Sequence, residues 1–274
     1  MGKKFFVLLL SLSLLVAGIA GCGSQDKAQK EAEKKANKLV VGATAKPHAE
    51  ILEVIKPELA KEGIDLEIKE FTDYVLLNPA LVEGEIDANF FQHRPYLDDF
   101  NAKNKADLRE VVKVHTEPMG VYSNKYKNID NIPEGAKIGI PNDATNGGRA
   151  LMVLERAGLI KLREGAGVTA TEKDIVENPR HIKIVMMDAP MLPRALEDLD
   201  VCVINSNYAL EANLNPVKDS IFMEPKDSPF ANILVVRPGD EKREDIQKLA
   251  KALQSPTVKK FLEEKYNGSC VPAF

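Results

Sequence analysis

The sequence has no tryptophan, three cysteines and four histidines among its 274 residues. The histidines are scattered along the chain, and the sequence has no His-x-x-His or Cys-x-x-Cys pairing, so it predicts no metal site. It also lacks the nucleophile-elbow, Walker and Rossmann motifs. We therefore expect no catalytic residue and no cofactor, and the chain is predicted not to be an enzyme. The four histidines are His48, His93, His115 and His181.

The sequence has no excess of positive charge. Its 37 lysines and arginines stand against 41 acidic residues, and no basic stripe is present, so nucleic-acid binding is not expected. A hydrophobic content of 44% with 28% charged residues is ordinary for a globular protein and excludes a polytopic membrane protein.

The sequence has one long apolar run, the 16 residues of Phe5–Ala20, preceded by Lys3 and Lys4. This run is short for a membrane span and typical of a secretory signal, so residues 1–21 are predicted to be a signal peptide. The run ends in the letters IAGC (19–22), which resemble the lipobox of bacterial lipoproteins. This resemblance implies an exported protein that is anchored to the cell membrane by acylated Cys22. The alternative is an ordinary signal peptide followed by an incidental cysteine.

Residues 22–38 carry many charges and no large apolar residue, which predicts a flexible tether between the lipid and the globular body. Two further cysteines lie in the body. Cys202 is part of an apolar run, where cysteine usually acts as a small buried hydrophobe, and we expect Cys202 and Cys270 to be free thiols.

The body alternates predicted strands with predicted helices, and the pattern occurs twice. The first series consists of a strand at 39–44, a helix at 47–61, a strand at 65–71, a helix at 78–84 and a strand at 86–91. The second consists of a strand at 136–140, a helix at 145–157, a strand at 181–187, a helix at 192–198 and a strand at 201–205.

The run at 231–238 follows the second series. If it returns to the first sheet, the chain crosses twice between two lobes, and both crossings serve as hinges. The predicted fold is therefore α/β and two-lobed, with two mixed sheets flanked by helices. Residues 39–116 plus 229–274 would form the first lobe and 117–228 the second. A ligand would bind in the cleft, where the carboxyl ends of strands converge.

Eight segments, in order along nearly the whole mature chain, resemble the NlpA/MetQ family of methionine-binding lipoproteins. The resemblance implies a type II periplasmic-binding fold, L-methionine as ligand, and a membrane ABC importer with permease and ATPase subunits as partner. The segments are TAKPHAEIL (44–52), TDYV (72–75), ANFFQHRPYLDDF (88–100), PNDATNGGRAL (141–151), ENPRHIKIV (177–185), LPRAL (192–196), VINSNYA (203–209) and SPFANIL (228–234).

Arg149 lies near the predicted start of a helix, where the partial positive charge of the helix disfavours a cation. A ligand carboxylate would resolve this conflict, because Arg149 could bind it with a planar bidentate contact while the leading amides of the helix add donors. Gly147 and Gly148 would allow a ligand or an opposing backbone to approach. The alternative is a solvent-exposed helix arginine. The ligand interpretation implies that Arg149→Ala removes most of the affinity without unfolding the protein.

The resemblance implies that Asn146, Asn205 and Asn232 surround the polar end of the amino acid. Neutral amides suit this position because a buried, unpaired acid is costly to desolvate. The alternative for each asparagine is a turn or a helix cap.

The resemblance also implies a side-chain pocket formed by Tyr74, Phe91, His93 and Tyr96. A thioether makes favourable contacts with aromatic edges, so these residues suit methionine. The alternative places Phe91 in a core and His93 at a helix start.

Other functions remain open at this point. A receptor for a methionine-containing dipeptide or another small amino acid is the nearest alternative. An enzyme on the same fold, or a surface adhesin that retains the scaffold, belongs to a different class.

Overall fold

The computed structural model of the protein describes residues 38–225 and 229–274. The predicted signal peptide, Cys22 and nearly all of the predicted tether lie outside these residues. The first strand begins at Lys38, the last residue assigned to the tether. Within the described part of the chain, we find no helix with the length and hydrophobicity needed to cross a membrane.

Thirteen strands form in the described residues. They are β1 (Lys38–Thr44), β2 (Asp65–Phe71), β3 (Ala88–His93), β4 (Arg109–Thr116), β5 (Gly120–Tyr122), β6 (Lys137–Pro141), β7 (Lys161–Leu162), β8 (Ile175–Glu177), β9 (Lys183–Met187), β10 (Val201–Ile204), β11 (Phe222–Met223), β12 (Ala231–Val236) and β13 (Val271–Pro272).

These strands form two large sheets and one small hairpin. The first sheet has the order β13-β4-β12-β3-β1-β2, and the second has the order β11-β5-β10-β6-β9. Both sheets are mixed: β1 is parallel to β2 and β3, whereas β12 is antiparallel to β3 and β4. In the second sheet β10 is parallel to β6 and antiparallel to β5. We call the parts built on these sheets the first and second lobes.

Helices cover both sheets in the described chain. The α-helices are Glu50–Lys61, Leu77–Val82, Arg94–Asn104, Ala144–Arg156, Leu192–Ala195, Ser206–Glu211, Pro216–Asp219, Glu244–Leu253 and Pro256–Phe261, with π-helical turns at Ala45–Ala49 and Leu262–Tyr266. Short 3₁₀ turns lie at Ile129–Asn131, Gly167–Thr169, Glu172–Asp174, Ala189–Met191 and Asp240–Lys242.

The two predicted series of strands and helices are both present, with differences at their ends. The strand expected from residue 181 begins at Lys183, because His181 adopts the left-handed conformation with φ 47° and ends a turn instead. The helix expected over 192–198 ends at Ala195, where the chain continues in tight turns such as Glu197 N–H to Arg194 O at 3.2 Å.

Each lobe has its own hydrophobic core, which follows from the amphipathic pattern of its elements. Helix Glu244–Leu253 buries Ile246, Leu249 and Leu253, which lie on one helix face, against the first sheet. Burial of each such side chain contributes about 1.5–3 kcal/mol. Cys202 and Cys270 are both buried free thiols, as predicted.

The chain passes between the lobes in two places. Strand β4 of the first sheet leads through Glu117 to β5 of the second, and the chain after β11 returns through Glu224 to β12. The two segments touch, since Glu224 N–H donates to Met119 O at 2.9 Å. The predicted limits of the lobes at 116/117 and 228/229 stay a prediction.

The glycine pair at the start of helix Ala144–Arg156 allows close backbone packing. A Cβ atom on Gly148 would lie 2.2 Å from Val168 O, and one on Gly147 would lie 2.8 Å from Pro141 O. These distances are too short for any side chain at either position. The neighbouring atoms are backbone carbonyl oxygens of the second lobe, so the helix packs directly against this backbone, and this packing sets the position of the side chains that the helix carries.

Candidate ligand-binding site

All eight residues predicted to bind the ligand line a single cavity between the lobes. The first lobe contributes Tyr74, Phe91, His93, Tyr96 and Asn232, and the second contributes Asn146, Arg149 and Asn205. Sequence reasoning missed five further lining residues, which are His48, Gln92, Glu117, Ser206 and Asn207.

One wall of the cavity is aromatic. The rings of Tyr74, Phe91 and Tyr96 lie in mutual contact, with centroids 5.7 to 6.0 Å apart. Burial raises the pKa of Tyr74 and that of Tyr96, so both phenols stay neutral. Phe90, the neighbour of Phe91, points to the opposite face and is fully buried in the core. This wall offers apolar surface and polarizable ring edges to a ligand.

His93 has two roles, at a helix start and at the cavity. Its Nδ1 accepts from Tyr96 N–H at 3.2 Å, which caps helix Arg94–Asn104. Since Nδ1 accepts, the ring proton lies on Nε2 and is donated to Asn146 Oδ1 at 3.1 Å in the other lobe. Burial and the nearby charge of Arg149 lower the pKa of His93 to about 3, so the ring is neutral.

The lobes are closed over the cavity by hydrogen bonds between side chains. Besides the bond from His93 to Asn146, Tyr74 Oη donates to Asn207 Oδ1 at 2.5 Å. Asn205 Nδ2 donates to the same Asn146 oxygen at 2.9 Å. Asn205 occupies the N-cap position of helix Ser206–Glu211, yet its side chain makes no capping bond, so capping does not explain this residue.

Arg149 is buried and has a protein partner, contrary to the expectation of a free guanidinium. Its Nε lies 3.1 Å and its Nη2 2.5 Å from Glu224 Oε2, and Nη2 also donates to Glu117 O at 2.7 Å. The guanidinium lies over the ring of Phe230, 4.3 Å from its centroid. Arg149 thus connects the second lobe to both crossover segments. Its Nη1 makes no hydrogen bond in the described chain and is the part of the group left for a ligand.

The start of helix Ala144–Arg156 also differs from the prediction. Asp143 is its N-cap, and Oδ1 accepts the Asn146 N–H at 2.9 Å. Burial raises the pKa of this carboxyl. Arg149 is in the second turn of the helix rather than the first, and one of the leading amides, Asn146 N–H, is already bonded to Asp143.

A buried acid faces the cavity beside the expected amides. Glu117 Oε1 lies 2.8 Å from His115 Nε2 and 3.2 Å from His48 Nε2. The polar end therefore has an acidic group beside the amides that were predicted there. Sequence reasoning missed Glu117 because the histidines beside the acid are far apart in the chain. They come together only because β1 and β4 belong to the same sheet.

His48, His115 and Glu117 are also the one group of the described residues whose spacing could hold a metal ion. The histidines that looked scattered in the sequence include this pair, whose ring centroids are 5.1 Å apart. Hydrogen bonds account for the arrangement: His48 Nδ1 lies 2.7 Å from Thr44 Oγ1, and the Nε2 atoms of both histidines face Glu117.

The chain matches the family described as NlpA lipoprotein over residues 39–274. The D-methionine-binding lipoprotein MetQ of Salmonella typhimurium is 43% identical over 257 residues, which cover 92% of this chain and 92% of the relative. This protein belongs to the NlpA lipoprotein family. Another relative, membrane lipoprotein TpN32 of Treponema pallidum, is 42% identical over 228 residues and covers 83% of this chain and 85% of its own.

Solved structures of related proteins share the fold. A nutrient-binding protein from Burkholderia cenocepacia bound to methionine has a TM-score of 0.83 and 45% sequence identity to this NlpA lipoprotein. The match covers 86% of this chain and 100% of the Burkholderia chain. The methionine-binding protein MetQ has a TM-score of 0.84 and 40% identity, covering 87% and 98%. The two-lobed binding-protein fold predicted from the sequence is confirmed.

Loss of the Arg149 side chain is expected to destabilise the protein, which revises the sequence-based expectation for Arg149→Ala. Glu224 would remain buried without its cationic partner, at a cost of about 3–5 kcal/mol in the free energy of unfolding. In Arg149→Met/Glu224→Gln no unpaired charge remains, so part of the loss should be recovered. Urea denaturation of both variants measures this. Arg156→Ala, an exposed position on the same helix, is the control and should change stability by less than about 0.5 kcal/mol. Equal stability of Arg149→Ala and wild type would contradict the ion pair.

The protein should lose stability as the pH falls below neutrality. Burial lowers the pKa of His48 to about 4 and that of His93 to about 3. Between an unfolded pKa of about 6.5 and these values, the unfolded chain binds protons that the native state does not, so the free energy of unfolding decreases with falling pH. Urea denaturation between about pH 7 and pH 5 should show this slope.

The variant His48→Gln/His93→Gln removes both groups and should flatten the pH profile. His181→Asn is the matched control, because His181 is exposed and its left-handed backbone conformation suits asparagine. A double variant that retains the wild-type slope would show that other groups cause it.

Proposed function

We propose that this NlpA family member is a lipid-anchored extracytoplasmic receptor that captures methionine between its lobes and delivers it to an ABC importer of permease and ATPase subunits. It acts by binding and not by catalysis. The observation that carries the proposal is the division of one closed cavity into an aromatic wall and a polar end. The names of the relatives, D-methionine-binding lipoproteins, and the methionine-bound neighbour support it.

The polar end has donors and acceptors that the protein does not use itself. Arg149 Nη1 would donate to the carboxylate of the ligand. Asn205 Oδ1 is buried without a hydrogen-bond partner among the described residues. Asn232 accepts at Oδ1 from His48, and its amino group would donate to the ligand. Buried polar groups are rarely left unpaired, so a polar ligand is the natural partner of these atoms.

The aromatic end would hold the methionine side chain. Tyr74, Phe91 and Tyr96 present ring edges and faces, and His93 is neutral there. The thioether sulfur gains from such contacts, and the unbranched chain of methionine fits a narrow space.

Closure of the lobes would report the presence of a ligand to the importer. The bonds from Tyr74 to Asn207 and from His93 to Asn146 cross the cleft and form only in the closed shape. A ligand that binds between the lobes favours this shape, because it contacts both walls at once.

Methionine should raise the melting temperature of the protein. A ligand at about 100 times its dissociation constant adds roughly 2.7 kcal/mol to the free energy of unfolding. Thermal-shift titration and calorimetry with L-methionine, D-methionine, glycyl-methionine and alanine measure the effect and rank the ligands. Phe91→Ala should weaken methionine binding about tenfold or more, since it removes a ring from the wall, whereas Phe274→Ala, at an exposed position, should not.

The same titration separates the alternatives. Tighter binding of glycyl-methionine would favour a dipeptide receptor. Indifference to all four compounds would remove the receptor function and favour an adhesin.

Acylation of Cys22 is expected to anchor the mature chain. Mass spectrometry of the protein extracted from membranes should find residue 22 at the amino terminus with an added acyl mass. Cys22→Ser should appear in the soluble fraction. A mature protein that begins at another residue and carries no lipid would contradict the anchor.

A further inference from the structure

The two charged groups that face the cavity differ in how well the protein neutralises them. Arg149 is paired with Glu224, whose carboxylate contacts both Nε and Nη2 of the guanidinium. Glu117 has no such partner: its ion contacts in the described chain are with His48 and His115. The cation of this site is therefore already balanced, whereas the balance of the anion depends on the charge of two imidazoles.

Both imidazoles are buried. Burial lowers the pKa of His48 to about 4, so this ring is neutral near neutral pH. Nδ1 of His115 has no hydrogen-bond partner among the described residues, and Nε2 is the atom that faces Glu117. No guanidinium or ammonium group of the described chain lies within ion-pair distance of the Glu117 carboxylate.

One oxygen of Glu117 remains free. Oε1 accepts from His115 and lies 3.2 Å from His48 Nε2, which is hydrogen-bonded to Asn232, whereas Oε2 makes no hydrogen bond with any residue of the described ranges. Burial alone would raise the pKa of this carboxyl, but the neighbouring imidazoles of His48 and His115 and the Arg149 guanidinium outweigh burial and lower it, so the group is ionised. A buried carboxylate with a free oxygen in a cavity requires a cation for full compensation.

We propose that Glu117 is the counter-ion of the α-ammonium group of the ligand, and that the site therefore selects for a free ammonium more strongly than for a free carboxylate. This inference rests on the proposed function. His48 and His115 are positioning residues that hold Oε1 and leave Oε2 for the ligand. The ligand carboxylate meets Arg149, whose charge Glu224 has largely neutralised, and so gains less.

The charge count explains why the amide should bind more tightly than N-acetylmethionine. Glu117, Glu224 and Arg149 together carry one excess negative charge. A zwitterion places its ammonium on that charge, and a cation such as methionine amide does the same. An anion such as N-acetylmethionine adds a second negative charge beside a buried carboxylate, which is strongly unfavourable.

Calorimetry with the wild-type protein tests the order directly. The ligands are methionine, methionine amide and N-acetylmethionine, at about pH 6, where the α-amino groups are protonated. We expect methionine to bind best and the amide to bind at least tenfold more tightly than N-acetylmethionine. N-acetylmethionine that equals or exceeds the amide would overturn the inference while leaving the methionine receptor intact. No binding of methionine itself would instead overturn the proposed function.

The variant Glu117→Gln tests the residue. It keeps the shape and the contacts of Oε1 but removes the charge, so methionine should bind at least tenfold more weakly, and the preference for the amide over N-acetylmethionine should disappear. Glu83→Gln, at an exposed position, is the matched control and should retain both. An unchanged preference in Glu117→Gln would overturn the assignment. If the variant does not fold, the ligand order of the wild type still decides.

A final arm separates an ammonium site from a metal site on the same side chains. Methionine affinity should be the same in EDTA and in added Zn²⁺. Binding that is lost in EDTA and restored by Zn²⁺ would assign His48, His115 and Glu117 to a metal ion and overturn the proposal.

Discussion

The architecture depends on one buried ion pair, between Arg149 and Glu224. Arg149 projects from a helix of the second lobe, and Glu224 lies where the chain leaves the second sheet for the first. The same guanidinium donates to Glu117 O in the other crossover segment. A buried ion pair contributes little net stability compared with an apolar replacement, but loss of one partner is costly. The value of this pair is therefore geometric, because it holds two hinge segments and a cavity wall in one arrangement.

That constraint sets the electrostatics of the cavity. With Arg149 engaged by Glu224, the site is not the simple cationic pocket that a lone arginine predicts. Glu117 becomes the less compensated charge, because its ion contacts in the described chain are with two histidines and not with a lysine or arginine. In the proposed function the ammonium group of the ligand would meet Glu117 and its carboxylate would meet Arg149. Glu117 would gain more from its partner, because Arg149 is already paired with Glu224. In the proposed function, one small amino acid would place its ammonium group beside the negative charge that the protein alone leaves without a cationic partner.

The closed shape is held by polar and apolar contacts between the lobes. Tyr74 to Asn207 and His93 to Asn146 are single hydrogen bonds between the lobes, and each contributes about 1 kcal/mol net. Tyr74 also packs against Tyr208 of the second lobe, with ring centroids 4.9 Å apart, and Leu210 of the second lobe packs against the core of the first. Opening breaks these contacts, and a bound ligand shifts the balance towards closure by its contacts with both walls.

The sequence by itself determined the fold class and most of the candidate cavity. Alternating strand and helix patterns predicted two mixed sheets, because burial of an apolar face follows the local period of each element. All eight residues that the family resemblance pointed to line one cavity, including Phe91 and not its neighbour Phe90. The tertiary structure alone decided the partners of the charged groups. Arg149 and Glu224 lie 75 positions apart, and His48 and Glu117 meet only when β1 and β4 join one sheet. Ion pairs and buried hydrogen bonds depend on distances of a few ångströms between distant segments, and no local pattern in a single sequence contains those distances.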